Sequence, residues 1–125
     1  MSGWGIRLSG IGASRQLIEQ GDFDFSGDTV YLAGPTVDYA IYNEMGTSKM
    51  EARPFVRPAA KRVRADTANE VRRISRSQGI PLTSEKAIVR CAALAVQDRM
   101  KEIADRKEIR DTGQLINSIR ITEVS

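Results

Sequence analysis

Ten consecutive residues, Ala87-Ile88-Val89-Arg90-Cys91-Ala92-Ala93-Leu94-Ala95-Val96, are apolar at every position except Arg90. Thr83 or Ser84 can cap a helix ahead of them, and Glu85 suits its positive N-terminus, so a helix is predicted from there to about Lys107. Its second half keeps only Met100, Ile103 and Ala104 on one side. A helix apolar all round must be covered all round. In a chain of 125 residues that cover is hard to assemble from one molecule. The expectation is therefore that this half-helix is partly a contact between subunits, through Ile88, Cys91, Ala92 and Ala95. The alanines and Cys91 would permit close helix approach, and Cys91 reads as a small packed side chain, not a reactive thiol.

The length fits one compact domain, spanning residues 1–125, that removes roughly two thirds of its extended-chain surface from water without disulfide or metal. With 41% apolar and 28% charged residues the chain is neither wholly disordered nor fibrous. No apolar run is long enough for a membrane span, and Met1-Ser2-Gly3-Trp4-Gly5 lacks a basic stretch followed by an apolar one; a soluble chain made without an export signal is expected. Histidine is absent and Cys91 is the single cysteine. That removes the commonest zinc sites, Ser/His/Asp and Cys/His catalysis, and any intrachain disulfide. Carboxylate, lysine, serine or tyrosine chemistry remains, but no motif supports it, so no enzyme, cofactor or metal is expected.

Trp4, Ile6 and Leu8 alternate with Gly5, Arg7 and Ser9 as a half-covered strand would. Ala13 to Gln20 fits a short helix stopped by Gly21, and Asp22-Phe23-Asp24-Phe25-Ser26-Gly27-Asp28 reads as an acidic loop with two aromatic anchors. Asp28 to Ala33 predicts a strand ended by Gly34-Pro35. The pattern over 37–45 fits helix and strand equally, and Gly46 suits a left-handed cap after it. From Pro58, Ala60, Val63, Thr67, Val71 and Ile74 recur at helical spacing, predicting a long helix over about 58–77 that Gly79-Ile80-Pro81 stops. Gln114 to Ser118 makes one more turn, and Ile119 to Val124 alternates as a last strand. The predicted fold is α+β: a small mixed or antiparallel sheet packed on two long helices, with an extended loop arm.

Charge is unevenly spread. Residues 1–48 carry two arginines against six acids, net −4; residues 49–76 carry nine basic residues against three acids, net +6; the rest, eight against seven, is +1. Lys61, Arg62, Arg64, Arg72, Arg73 and Arg76 lie off the apolar stripe, with Asp66 and Glu70 as weak helical partners. Such a face attracts phosphate or an acidic partner, or is simply a solvated surface. A stand-alone nucleic-acid-binding module using 58–76 is the alternative functional class.

Gly10-Ile11-Gly12-Ala13-Ser14 lacks the third glycine and the downstream acid of a dinucleotide site, and Gly46-Thr47-Ser48-Lys49 is not a nucleotide-binding loop. Asp38 and Glu44 make no convincing acid pair. The stretch around Pro54 has a clearer mechanical sense. Pro54 and Pro58 restrict the backbone on either side of Phe55 and Val56, holding a loop-to-helix junction to few shapes. Phe55 is its packing anchor, Arg53 and Arg57 flank it, and the polar loop from Gly46 to Arg53 precedes it. This fits an arm, over about 44–57, that inserts into a neighbouring molecule, or a surface loop with a stabilised end.

The contiguous run Tyr39-Ala40-Ile41-Tyr42-Asn43-Glu44-Met45-Gly46-Thr47-Ser48-Lys49-Met50-Glu51-Ala52-Arg53-Pro54-Phe55-Val56-Arg57-Pro58-Ala59 resembles the central motif of a family of small tailed-bacteriophage proteins, described as tail-component, tail-completion or neck proteins. Asp111-Thr112-Gly113-Gln114-Leu115-Ile116-Asn117-Ser118-Ile119 resembles a second element of that family. In the family this element precedes the tyrosine motif, whereas here it follows, and Ile116 stands where a basic residue is frequent. Either the segments are circularly rearranged around a similar core or the second match is coincidence. The resemblance implies a non-enzymatic virion protein at the capsid–tail junction, assembled in the host bacterial cytoplasm. It implies a homo-oligomeric ring, sixfold in many relatives, against head–tail connector, tail terminator or tail tube proteins, with non-specific contact to passing DNA and no membrane. Tyr39, Tyr42, Glu44, Thr47, Lys49, Arg53, Phe55 and Arg57 become the expected fold, arm and interface residues, with Phe55 as packing anchor and the arginines as ion-pair or phosphate partners. The acidic N-terminal third and the basic middle could supply the two different patches that a head-to-tail ring requires.

Overall fold

The computed structural model describes residues 5–9, 29–37, 40–49, 51–107 and 112–124. The predicted helix over 13–20, the acidic stretch 22–28, the glycine turn at 10–14, and Trp4, Asp38, Tyr39 and Asp111 lie outside them. Among the described residues three strands and five helices follow in the order β1 (Ile6–Ser9), β2 (Val30–Gly34), α1 (Ala40–Met45), α2 (Val56–Ala65), α3 (Thr67–Gln78), α4 (Glu85–Arg106), α5 (Thr112–Ser118) and β3 (Arg120–Glu123). The fold is α+β, with a three-stranded antiparallel sheet in the order β1-β2-β3.

Register places Leu8 and Glu123 on either side of Tyr31, and Ile6 and Ile121 on either side of Ala33. Side chains two apart on a strand share a face. Tyr31 and Ala33 therefore point into the core together, and Ile6, Leu8 and Ile121 pack against it from the flanking strands. The element they meet is α4, which also packs against α2, α3 and α5. Ser84 caps α4 as expected, its hydroxyl accepting from the Ala87 amide at 3.1 Å.

That arrangement corrects the assignment of Ile88, Cys91, Ala92 and Ala95 to a subunit contact. All four are fully buried inside one chain. The sheet covers α4 on one side and α2, α3 and α5 cover the others, so a single copy supplies the all-round cover that the apolar run demands. Arg90, the interruption in the run, lies exposed with Lys86 one turn before it and Asp98 two turns after it, on the narrow side left to solvent.

The stripe predicted from Pro58 is also inside: Ala60, Val63, Thr67, Val71 and Ile74 are all buried. The segment carrying it is two helices, however, because the backbone leaves helical geometry at Asp66 (φ −152°, ψ 64°). Short polar side chains offer the local alternative there: Thr67 Oγ1 donates to the Val63 carbonyl at 3.2 Å and Asn69 Nδ2 to Asp66 Oδ2 at 2.7 Å. The predicted stop at Gly79 is a left-handed cap, φ 65°.

Ala92→Glu should abolish the cooperative unfolding transition seen by circular dichroism even in dilute solution, since it places a charge in a closed core at roughly 5 kcal/mol or more. Arg90→Glu, on the exposed side, should leave that transition within about 0.5 kcal/mol of the parent.

Candidate functional site

The run 39–59 is built around one carboxylate. Helix α1 ends where the Gly46 amide donates to the Tyr42 carbonyl at 2.7 Å, and Gly46 takes φ 77°, the left-handed geometry expected of it. The chain then loops out and returns, the Arg53 amide donating to the Asn43 carbonyl at 2.6 Å. Behind that closure lies Glu44, 4% exposed, with Oε1 accepting from the amides of Phe55 (2.8 Å) and Val56 (2.9 Å) and Oε2 from that of Arg57 (3.1 Å). Those amides open α2, where backbone donors have no partner within the helix and the macrodipole favours a negative charge. Phe55 provides no side-chain cap itself, so Glu44 caps α2 from another helix. Pro58, third residue of α2, has no N–H to leave unsatisfied. Lys107 Nζ fixes the Pro54 carbonyl from the end of α4 at 2.7 Å.

Glu44, expected among the fold and interface residues, is therefore an internal support that satisfies the helix start, and Phe55 is the fully buried packing anchor expected of it. The remaining described members of that group lie outside. Tyr42 is 55% exposed, and Thr47, Lys49, Arg53 and Arg57 are exposed as well. Two residues not singled out from the sequence join them, Ile41 and Met45, at 41% and 57% exposure on α1. Beside Met45 an open groove of about 570 Å³ is lined by Glu44, Met45, Ala52, Pro54, Arg57, Pro58 and Lys61. Arg57 Nη2 leans across it to Met45 Sδ at 3.1 Å. One surface thus combines an apolar strip with cationic edges. The strip was legible in part: in a helical reading of 37–45, Ile41 and Met45 stand four apart on one face.

The basic helices are less free than their composition suggests. Glu70, buried on α3, receives a two-pronged bond from Arg99 of α4 (Nε to Oε1 2.7 Å, Nη2 to Oε2 2.9 Å) and a third from Arg73 (3.1 Å). Arg73 also meets Asp98 at 2.9 Å, and Glu102 joins Arg99 (2.9 Å), Arg106 (2.8 Å) and Arg62 (3.7 Å). Arg62 and Arg73 are thereby tied to α4. Hydrogen bonding from Arg99 holds the Glu70 and Glu102 carboxyls below their usual range, and Glu70 raises the Arg99 guanidinium. The sequence reading gave Glu70 only a weak helical role, because Arg99 stands too far along the chain to be paired with it by spacing.

Among the described residues no three His, Cys, Asp or Glu side chains are grouped to hold a metal ion. Burial pushes the Cys91 thiol up, which keeps it protonated and unreactive near neutral pH. No described helix is long and apolar enough to cross a membrane. Compared with family models, curated proteins and solved structures, the chain matches none. The site therefore rests on its own geometry: a rigid loop-to-helix junction presenting one apolar and cationic surface.

Glu44→Ala removes the acceptor of three amides and should lower stability by about 3 kcal/mol in urea titration. Limited proteolysis of 46–53 should accelerate alongside. A depressed carboxyl binds fewer protons folded than unfolded, so the Glu70 and Glu102 contribution is complete above the ordinary value near 4.5 and is lost as pH falls through the lower folded values. Glu70→Gln should destabilise by roughly 3 kcal/mol at neutral pH and flatten the decline of stability below about pH 4.5, measured by denaturant titration across pH.

Proposed function

We propose that this chain is a structural virion protein of a tailed bacteriophage, a neck, head–tail joining or tail-completion component that acts as an oligomeric ring and catalyses nothing. The observation that carries the reading is the division of labour within the motif. Glu44, Gly46 and Phe55 build the junction, whereas Tyr42, Thr47, Lys49, Arg53 and Arg57 face outward from it beside an exposed apolar strip.

A second observation supports the same reading. The two resembling pieces of sequence contribute side chains to one core, and Thr36, three residues before the first piece, donates from its amide and hydroxyl to the Ser118 carbonyl of the second, at 3.1 and 2.9 Å. Leu115 and Ile119 are buried in the common core, and Ile116 packs against it. A circular rearrangement of segments requires such a shared core. In the particle, the partners would be identical copies and the connector, terminator or tube protein above or below, with DNA passing through.

Binding of duplex DNA by α2 and α3 is the competing reading, favoured by the exposed Lys61, Arg64 and Arg76. It is weakened by the ion pairs that occupy Arg62 and Arg73. DNA binding by the isolated chain that is tight and falls steeply with salt would favour this reading over the first.

Deleting Thr47 to Glu51 should leave a folded chain, because the Asn43–Arg53 closure and the Glu44 cap lie outside the deletion. Phage carrying the deletion should accumulate unjoined heads and tails in electron micrographs. Normal assembly of those particles would refute the role assigned to the loop.

A further inference from the structure

We infer that the groove beside Met45 is a docking site for an acidic amphipathic helix of another protein, whose apolar row lies along α1 and whose carboxylates are clamped by Arg57 and Lys61. This deepens the interface reading by naming the chemistry of the partner, and it rests on that reading only for the premise that this surface meets a protein.

The cations set half of the requirement. Arg62, Arg73, Arg99 and Arg106 are each tied to a carboxylate, whereas among the described residues Arg57 and Lys61 have no carboxylate partner. Glu44, the acid on the groove wall, already accepts from three amides. Arg57 Nη2 instead donates to Met45 Sδ at 3.1 Å, and a thioether is a weak acceptor. A carboxylate receives a guanidinium through two parallel charge-assisted bonds, so an arriving acid takes Arg57 from the sulfur. That exchange uncovers Met45 as it satisfies the charge. One side chain thus couples the polar contact to the apolar one.

The walls set the other half. Met45, Pro54 and Pro58 line the groove, and Ile41 and Tyr42 continue the exposed apolar surface along α1. Ile41 and Met45 stand four apart on α1, and Arg57 and Lys61 four apart on α2, a rise of about 6 Å in each case. Side chains four apart on a partner helix carry the same repeat, so one apolar row flanked by one acidic row meets both.

Other occupants satisfy one half only. Duplex DNA would engage the two cations and leave Ile41, Tyr42 and Met45 against sugar and phosphate. A second copy brings, among the described residues, one exposed large apolar side chain outside α1, Val124, and the acid beside it, Glu123, is already held by Lys86 and Tyr31.

The test titrates the full chain, with methyl-labelled methionine, at low salt with a synthetic helical peptide that bears leucine at every third or fourth position and glutamate on both flanks of that row. The Met45 methyl resonance should shift saturably while that of Met100, buried in the core, stays in place. Replacing the glutamates by glutamine, or the leucines by serine, should each weaken binding at least about tenfold. Arg57→Lys keeps the charge and loses the two-pronged geometry, so it should also cost about tenfold, and Met45→Glu should abolish binding, both followed by anisotropy of a labelled peptide. Circular dichroism should show both variants folded like the parent. Equal affinity for the glutamine peptide, equal binding by Arg57→Lys, or tighter binding of duplex DNA at Met45 would overturn the proposal. So would an unmoved Met45 resonance at millimolar peptide, the result expected if a second copy or a segment of the same chain already fills the groove. The phage role is judged separately, in particles: a chain that joins heads to tails yet ignores the peptide would sink the docking site and leave that role standing, whereas a chain that binds the peptide yet is absent from virions would do the reverse.

Discussion

Everything in this fold is arranged to close off α4. Its ten-residue apolar run cannot face water, and burying side chains of that size is worth about 25 cal/mol for every Å² of apolar surface removed. The sheet, α2, α3 and α5 each contribute one apolar side to that task. None of them has a second apolar side of its own to satisfy, so a layer around a central helix is the arrangement that buries the most. The ion pairs of Glu70, Arg99 and Glu102 sit where α2 and α3 leave the apolar contact, fixing how those helices lie along α4.

The second constraint is the start of α2. A helix that begins against the end of α4 has its first amides cut off from water, and they need an acceptor that the preceding residue, Phe55, does not have. Glu44 supplies it from α1. Because one carboxylate is bound to both ends of the excursion, the loop between them is held at its base while its own side chains stay outside. Stability and exposure are thus assigned to different residues of the same short motif, which is the physical content of the interface reading. Internal residues set the shape, and outward ones are available to a partner.

Much of this was readable from residue order alone. Strand alternation at 6–9, 30–34 and 120–123, the helical stripe from Ala60 to Ile74, the Ser84 cap and the two left-handed glycines are local patterns, and local patterns survive into the structure. Phe55 as packing anchor also followed from its place between two prolines. Tyr42, Thr47, Lys49, Arg53 and Arg57 do lie on the outside of the junction, whereas the motif gives no sign that Glu44 turns inward, because the amides it caps belong to residues 11 to 13 positions further on.

By itself, then, the sequence determined for most of the described segments whether they are helix or strand and which face is apolar, since those depend on neighbours within a turn or two, but it left 40–45 open and did not show the break at Asp66. Only the tertiary structure decided what covers α4, what Glu44 caps and what Glu70 pairs with. The two carboxylates find partners 11 to 29 residues away and β1 and β2 reach α4 from farther still, and nothing in local spacing ranks one distant partner over another. The apolar run showed the same limit: it demanded cover on every side, and the demand carried no information on whether one chain or two would provide it.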